Sequence, residues 1–491
     1  MLIYIAILLP LIGGALIPLM RFQSRKPREA YVLAVTALNS LIVLWLLTHR
    51  TDAVYPVYSI LPGMTIAFRI DGMSCVFMGL VAFLWPPASL YGFEYMEHEE
   101  RQNTFFTWYT MTYGITLALA MSANLFTFYI FYECLTLVTL PLVVHKQNPA
   151  SNNAGRKYLT FSITGAAMGF VAMIFISVYG TSTDFMLGGV LADSAAAVGM
   201  ENMLRWVFLL AFIGFGTKAA VFPMYAWLPA ASVAPTPVTA LLHAVAVVNA
   251  GAFAVLRVIY YSFGAEFLYG SLPQQIALGM ACFTVVFGSA MAVREQHFKR
   301  RLAYSTISNL SYMLMGACLM TPAGMTGALA HMVFHSLMKI TLFYCAGAVL
   351  VYTEKEYVQD LRGFHKRMPF TCAVFTLGAV AMVGIPPLCG FVSKWNLLIA
   401  AANSGLGMGM VGVCALIISA VLTAIYLLGV SAAMYFRPLN AEYEEVAGIK
   451  CDPDWQMRFT LALLSVCIIA LGMYSAPLIT FLRGVASGAI F

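Results

Sequence analysis

Three basic residues recur at four-residue intervals in the stretch HMVFHSLMKITLF, at His331, His335 and Lys339. On a helix this spacing places all three on one face, and the flanking sequence is apolar. Imidazole and amine groups in such a row can pass protons to one another through water, which indicates a proton relay. Two alternatives are structural hydrogen bonds between helices and a zinc site on the HxxxH pair. Zinc is disfavoured because Lys339 would repel a cation.

Two further lysines lie beside prolines that would interrupt apolar helices. Pro223 follows Lys218 by a few residues, and Pro386 and Pro387 precede Lys394. Proline removes a backbone donor, and an opened helix inside a membrane is tolerated only where neighbouring groups or water satisfy the freed carbonyls. Paired broken helices with a charged residue near each break are typical of ion transporters. The alternative is two ordinary kinks whose lysines extend towards the membrane surface.

Glu133 and His243 are also ionisable residues within apolar stretches, and Glu133 is the only acid that we place well inside a span. A charge at the bilayer centre costs roughly 2.5–3.5 kcal/mol, so such residues usually mark an ion path. We expect Glu133 to pair with a buried lysine, for which Lys218 is the best candidate. If the carboxylate moved away, the desolvated amine would lose its proton, which makes the pair a switch. The alternatives are a solitary hydrogen-bonded acid and, for His243, a satisfied core histidine.

The composition predicts an all-α polytopic membrane protein. Of the 491 residues, 61% are hydrophobic and 10% are charged, whereas soluble domains carry about 25% charged residues. The net charge of +6 reflects lysines and arginines in loops, so no nucleic-acid partner is expected. Apolar windows predict about fourteen transmembrane helices. These lie at roughly 2–21, 30–48, 71–92, 105–121, 123–144, 158–181, 203–226, 236–261, 274–293, 300–320, 325–351, 369–400, 408–435 and 459–482.

The chain is predicted to have four parts. Residues 1–104 hold the first three helices, and residues 436–491 hold a cytoplasmic loop and helix 14. The two proline breaks lie five helices apart, and an odd number of spans per unit inverts a repeat in the membrane. Residues 105–262 and 263–435 are therefore predicted to be inverted five-helix repeats with broken helices 7 and 12.

Lysines and arginines concentrate in the loops on one side of the predicted spans. By the positive-inside rule that side is cytoplasmic, which places both termini on the outer side of a cell inner (cytoplasmic) membrane. The basic stretch 294–304 is predicted to be a solvated cytoplasmic loop that also touches anionic lipid. The N-terminal stretch lacks a charged leader region and is predicted to be a retained first span.

The ten cysteines are scattered, and no two of them have C-x-x-C spacing. Most lie in apolar segments, where cysteine behaves as a small hydrophobic residue. The sequence also lacks GxGxxG and GxxxxGK[ST] nucleotide signatures. We therefore expect no metal and no cofactor in this chain.

The stretches KAAVFPMYAWLPAASVAPTPVTALLHA, KRRLAYSTISNLSYM, HMVFHSLMKITLF and GIPPLCGFVSKW resemble the antiporter-like membrane subunits of respiratory complex I, energy-converting membrane hydrogenases and Mrp-type Na⁺/H⁺ antiporters. The resemblance implies fourteen helices, inverted repeats and proton transfer along a central polar axis. It also implies site positions, matched one by one to the helices of the family. These are Glu133 on helix 5, Lys218 on helix 7, His243 on helix 8, His331, His335 and Lys339 on helix 11, and Lys394 on helix 12. Asn249 stands where some members have a bridging lysine.

These observations predict a proton-translocating subunit of a redox-driven ion pump of complex I or hydrogenase type. Its partners would be other membrane subunits, protons and lipid, and any redox centre would lie in those subunits. The alternative is a subunit of a multi-subunit Na⁺/H⁺ antiporter that works without redox chemistry. A third interpretation, a scaffold that conducts nothing, is disfavoured because a scaffold would lose little by replacing the buried lysines with leucine.

Overall fold

A computed structural model describes residues 1–61, 63–438 and 451–490 of the protein. The described residues form twenty α-helical segments, numbered in chain order. They are α1 (Leu2–Met20), α2 (Arg25–Thr48), α3 (Gly72–Tyr95), α4 (Gln102–Ala120), α5 (Leu125–Val143), α6 (Pro149–Tyr179), α7 (Glu201–Gly216), α8 (Trp227–Ala231), α9 (Thr236–Ala240), α10 (Val247–Arg257), α11 (Ala265–Leu268), α12 (Leu272–Arg294), α13 (Phe298–Cys318), α14 (Pro322–Thr353), α15 (Pro369–Val383), α16 (Cys389–Ala402), α17 (Gly407–Thr423), α18 (Gly429–Phe436), α19 (Trp455–Met473) and α20 (Ala476–Ala486).

Polar side chains fix where many of these helices begin. The side chains of Asp71, Asn124, Asn148, Ser271 and Thr321 each accept a hydrogen bond from the backbone N–H three residues further on. Such caps satisfy backbone donors that have no partner within the first helical turn. In a chain with so few polar residues, these short side chains therefore mark the helix starts.

The prediction of an all-α polytopic membrane protein is confirmed. Within the described residues, ten helices are long and apolar enough to cross a membrane. The predicted total of about fourteen spans stays a prediction, because several of the predicted spans are divided into shorter segments. Part of the predicted last domain, residues 439–450, lies outside the described residues.

Both predicted helix breaks are present. The chain leaves helical geometry between α7 and α8, at residues 217–226, and again between α15 and α16, at residues 384–388. Pro223 lies in the first break, and Pro386 and Pro387 lie in the second. The lysines differ in position, since Lys218 stands within its break whereas Lys394 lies inside α16.

Two helical regions occupy the centre of the fold. One is α14, which packs against α9, α13, α15, α16, α19 and α20. The other runs through α9 and α10, and a π-helical segment, Leu241–Val245, joins the two. The span that includes them, Thr236–Phe263, is entirely buried. These two regions carry all the buried histidines that the sequence singled out.

Two features of the fold differ from the sequence analysis. A β-hairpin, β1 (Tyr55–Leu61) and β2 (Met64–Phe68), follows α2 and was not predicted. The stretch 294–304 is not a solvated loop, because α13 begins at Phe298 and buries Lys299 and Arg301. A basic side chain at the start of a helix can be buried when carbonyl oxygens accept its hydrogen bonds, as they do for both residues.

Candidate functional site

The basic residues of α14 form a buried row. His331, His335 and Lys339 have no exposed surface, and the rings of the two histidines lie 5.8 Å apart between centroids. The predicted spacing therefore places three titratable groups along about 12 Å of one helix. Groups at such a separation can exchange protons through one or two water molecules.

Lys339 is held by α13. Its Nζ donates to Ser305 Oγ and to the carbonyl oxygen of Leu302, the latter at 3.3 Å. Neither acceptor carries a formal charge. Within the described residues, Lys339 forms no ion pair. An ammonium held only by neutral acceptors in a buried place is expensive, so the amine is suited to exchanging its proton.

The other end of the row meets the break between α15 and α16. His331 Nδ1 lies 2.9 Å from Ser393 Oγ, and the next residue is Lys394. Lys394 Nζ donates to the carbonyl oxygens of Met382 at 2.7 Å and Val383 at 3.2 Å. These carbonyls belong to the last turn of α15, where a helix has no backbone donors of its own. The break thus supplies the acceptors that hold Lys394.

Lys218 lies within the first break. Its Nζ donates to the carbonyl oxygen of Tyr132 and lies 3.6 Å from the centroid of the Tyr132 ring. The expected ion pair with Glu133 is not formed in this structure, where the described residues contain no such contact. Glu133 is half-buried on α5, and its Oε1 has no hydrogen-bond partner among the described residues. Lys218 therefore contacts the residue before Glu133 on α5 without forming an ion pair with Glu133.

His243 packs against α14 one turn beyond Lys339. It is fully buried in the π-helical segment between α9 and α10, and its ring centroid is 4.9 Å from that of Phe343 on α14. Asn249, on α10, donates from Nδ2 to Ser336 Oγ at 2.7 Å, next to His335. Segments of π-helix are frequent at functional sites because they re-aim side chains.

Several imidazole nitrogens in this region have no hydrogen-bond partner among the described residues. They are both nitrogens of His243, both nitrogens of His335 and Nε2 of His331. Buried polar atoms in proteins are almost always hydrogen-bonded, and ordered water commonly supplies the bond. These nitrogens are therefore the polar atoms at which water or a neighbouring group would bind. We call the set Lys218, His243, His335, His331, Lys339 and Lys394, with Glu133 at its end, the basic axis.

The described residues of the basic axis do not form a metal site. No group of three or more His, Cys, Asp or Glu residues there could hold a metal ion. The HxxxH pair on α14 lacks a third ligand and faces Lys339. A structural zinc needs four ligands and a catalytic zinc needs three, so these residues do not fit zinc.

Comparison with known proteins agrees with the motifs. Residues 122–423 match the family model described as "NADH:quinone oxidoreductase/Mrp antiporter, TM", which covers more than half of the chain. The chain belongs to this family. A second model, "NADH-Ubiquinone oxidoreductase (complex I), chain 5 N-terminus", matches residues 63–106. The resemblance to antiporter-like membrane subunits is therefore confirmed.

Individual members of the antiporter-like family show how widely the likeness extends. "NAD(P)H-quinone oxidoreductase subunit 5, organellar chromatophore 1" of Paulinella chromatophora is 29% identical over 530 residues, which covers 97% of this chain and 76% of that protein. "Hydrogenase-4 component B" of Escherichia coli K12 is 30% identical and covers 67% of this chain and 50% of that protein. A chain of the archaeal membrane-bound sulfane sulfur reductase superposes with a TM-score of 0.85 at 22% identity, covering 99% of this chain and 97% of that chain. The last comparison shows a shared fold.

Sequence analysis of this antiporter-like subunit missed a buried ion pair. Arg257 NH1 and NH2 donate to the two carboxylate oxygens of Asp71 at 2.5 and 2.8 Å, and both residues are buried. NH2 also donates to Ser74 Oγ at 2.9 Å. The rings of Phe253 and Tyr261 lie 5.0 and 4.7 Å from the guanidinium carbon. The helix-start pattern at Asp71 was visible in the sequence, but nothing there indicated its partner.

A second acid was also missed. Glu94 lies two residues beyond the predicted third span, in the last turn of α3, and is buried. Its carboxylate accepts hydrogen bonds from Tyr352 Oη at 2.8 Å and from the backbone N–H groups of Asp454 and Met457 at 2.7 and 2.9 Å. These bonds tie α3 and α14 to the start of α19. Glu94 is therefore a structural residue that lies apart from the basic axis.

Proposed function

We propose that this protein is a proton-translocating antiporter-like subunit of a redox-driven ion pump of complex I or hydrogenase type. The observation that carries the proposal is the set of buried groups in the basic axis, with Lys218 in one helix break, Lys394 beside the other, and no ion pair to a carboxylate among the described residues. Buried lysines and histidines without counter-ions destabilise the fold, and packing alone does not require residues that can carry a charge. Family membership supports the same conclusion.

In the proposed mechanism, protons load the axis from one side of the membrane and leave on the other. Lys218 accepts or releases a proton according to the distance of Glu133, because a nearby carboxylate stabilises the ammonium and a distant one leaves it desolvated. The structure then corresponds to the open state of this pair. Closing it would hold positive charge at Lys218 and repel charge along the axis towards Lys394.

The axis favours protons over Na⁺. A Na⁺ site requires several oxygen ligands that replace the hydration shell, whereas the groups here are mainly nitrogen. The second candidate function, a subunit of a multi-subunit Na⁺/H⁺ antiporter, is supported by the family description, which includes Mrp antiporters. In both cases other membrane subunits are the partners. Any redox chemistry is assigned to those subunits.

The test is proton pumping by the assembled native complex in sealed vesicles, with wild type compared to Lys218→Ala. Electron transfer is measured in the same vesicles. In a second experiment, an imposed Na⁺ gradient replaces electron transfer as the force that drives proton movement. Lys157→Ala is the matched control, because Lys157 is exposed on α6. We expect the axis variant to lose pumping while the complex stays assembled and the control keeps it. Unchanged pumping by Lys218→Ala would refute the mechanism.

We further propose that the protein lies in the cell inner membrane with both termini on the outer side. The proposal is supported by the bias of lysine and arginine towards one set of loops. A reporter enzyme that is active only outside the cytoplasm, fused after the last residue, tests it. Activity of the fusion is expected, and an inactive but stably produced fusion would contradict the orientation.

A further inference from the structure

Lys299 is a buried lysine that the basic axis does not include. Only 5% of its surface is exposed, and its Nζ donates to the carbonyl oxygen of Ala234 at 3.2 Å. It forms no ion pair within the described residues. A hydrogen bond to one carbonyl oxygen does not offset the desolvation cost of a buried ammonium, so packing alone does not explain why this residue is lysine.

A cavity of about 440 Å³ lies close to this residue at the C-terminal end of α14. Its titratable lining residues are Tyr95, His98, Glu99, Lys146, Glu354 and Glu356. We call this cavity the vestibule. His98, Glu354 and Glu356 are exposed, so the vestibule opens to solvent. Glu99 pairs with Lys146 at 3.2 Å and Glu356 Oε2 lies 3.5 Å from His297 Nε2, but the three carboxylates outnumber the single lysine of the lining, which makes the vestibule attractive to protons and other cations.

Hydrogen bonds connect the wall of the vestibule to both sides of Lys299. On one side, the backbone N–H of Phe298 donates to the carbonyl oxygen of Glu356 at 2.7 Å. On the other, Thr236 Oγ1 donates to Tyr95 Oη at 3.3 Å, two residues beyond the Ala234 carbonyl that holds Lys299. The chain before Lys299 and the segment that carries its acceptor, Ala234, are therefore both tied to the vestibule wall.

The opposite side of Lys299 leads to the basic axis. Leu302 and Ser305, which accept the hydrogen bonds of Lys339, follow Lys299 on α13 within six residues, or about 9 Å along the helix. The charges that act on Lys299 are those of Lys146, Glu356 and Glu99 in the vestibule. The charge of Lys299 in turn acts on His243, after the larger effect of Lys339. The residue thus stands between the carboxylates at the surface and the buried groups.

We propose that Lys299 is the residue through which protons pass between the vestibule and the basic axis. A neutral Lys299 amine takes a proton from a protonated carboxylate or a hydronium ion in the vestibule. The resulting ammonium then gives it, through water, to a neutral imidazole at His243 or a neutral amine at Lys339. No bond other than N–H or O–H forms or breaks. This proposal rests on the proposed function and adds the group at the surface end of the path.

The experiment compares Lys299→Met and Lys299→Arg in the assembled complex, with pumping in sealed vesicles as the measurement. Arginine keeps a positive charge and can donate to Ala234, but it does not release its proton. A structural role would therefore survive in the arginine variant, whereas a proton-carrying role would not. Arg300→Gln is the matched control, because Arg300 is the next residue and pairs with Glu295 at the surface.

We expect both Lys299 variants to pump about a hundredfold more slowly while Arg300→Gln is unaffected. Methylamine added to a Lys299→Ala complex is expected to restore part of the rate through the vestibule. Normal pumping by Lys299→Arg would overturn the proposal, and that variant decides alone if Lys299→Met does not assemble. If Lys218→Ala stops pumping and Lys299→Met does not, only this inference fails. If neither stops it, the proposed function fails as well.

Discussion

The ion pair between Asp71 and Arg257 makes a strong quantitative prediction about stability. We consider Arg257→Met, which removes the guanidinium while keeping an apolar side chain among the surrounding rings. Asp71 would retain its bonds from the backbone N–H and the hydroxyl of Ser74, at 2.8 and 3.0 Å. It would lose two hydrogen bonds and its main counter-charge.

The expected cost follows from the burial of both partners. Arg257 and Asp71 have 1% and 3% of their side-chain surface exposed, so water cannot replace the lost charge. Breaking a buried pair on one side costs about 3–5 kcal/mol, because the buried carboxylate then keeps as counter-charge, among the described residues, only its longer contact with Arg69 NH2, at 3.7 Å. Asp71→Asn combined with Arg257→Met removes that charge and keeps an oxygen for the cap of α3. We expect the double variant to be more stable than Arg257→Met by roughly 2 kcal/mol.

Cys75 supplies the assay, because it is buried one residue beyond Ser74. Its rate of modification by a thiol reagent, measured by mass spectrometry on the purified complex, reports the fraction of molecules in which this region opens. A loss of about 3–5 kcal/mol raises that rate by roughly two to four powers of ten. Arg300→Gln, which breaks an exposed ion pair, is expected to change it little. An unchanged rate in Arg257→Met, or a double variant as labile as the single one, would refute the reasoning.

Three further predictions concern the basic axis. In Gly251→Ala the new Cβ would lie 2.7 Å from the carbonyl carbon of Lys218. We expect the free energy of unfolding to fall by about 1–3 kcal/mol, measured as a lower thermal midpoint of the complex. An unchanged midpoint would contradict this close approach. Ser305→Ala removes an acceptor of Lys339 Nζ and is expected to slow pumping about tenfold. Ser305→Thr keeps the hydroxyl and is expected to pump near the wild-type rate. Equal pumping rates in the two variants would count against a role for this contact. Tyr132→Leu removes the ring beside Lys218, a contact worth about 2 kcal/mol. We expect this variant to assemble but to pump more slowly, and a normal pumping rate would contradict the prediction.

Much of the fold could be predicted because the length of an apolar segment and the position of a proline determine helix extent and helix breaks within that segment. The row on α14 follows from a four-residue spacing, and both breaks follow from the chemistry of Pro223 and of Pro386 with Pro387. The positions of the site residues on their helices could be assigned by the same reasoning. Their roles in proton transfer stay predictions, because a position does not establish a proton path.

The remaining features depend on contacts between distant parts of the chain. Asp71 and Arg257 are 186 residues apart, and only the folded structure brings them together. Lys299 looked like a loop residue because charged neighbours surround it in the sequence, whereas burial is set by the carbonyl of Ala234 and by the loop that bears Glu356. The π-helical segment around His243 likewise has no sequence signal that we could identify.

The continuity of α14 has an electrical consequence. If the helix crosses a bilayer, Lys339 and His331 lie about 12 Å apart along it, which is roughly two-fifths of a hydrocarbon core about 30 Å thick. A proton that moves between them therefore crosses a substantial part of the membrane potential. At 100 mV a full crossing is worth about 2.3 kcal/mol per charge, so this step alone accounts for about 0.9 kcal/mol. The occupancy of the relay would thus respond to voltage, and an energised membrane would itself bias where along α14 the charge resides.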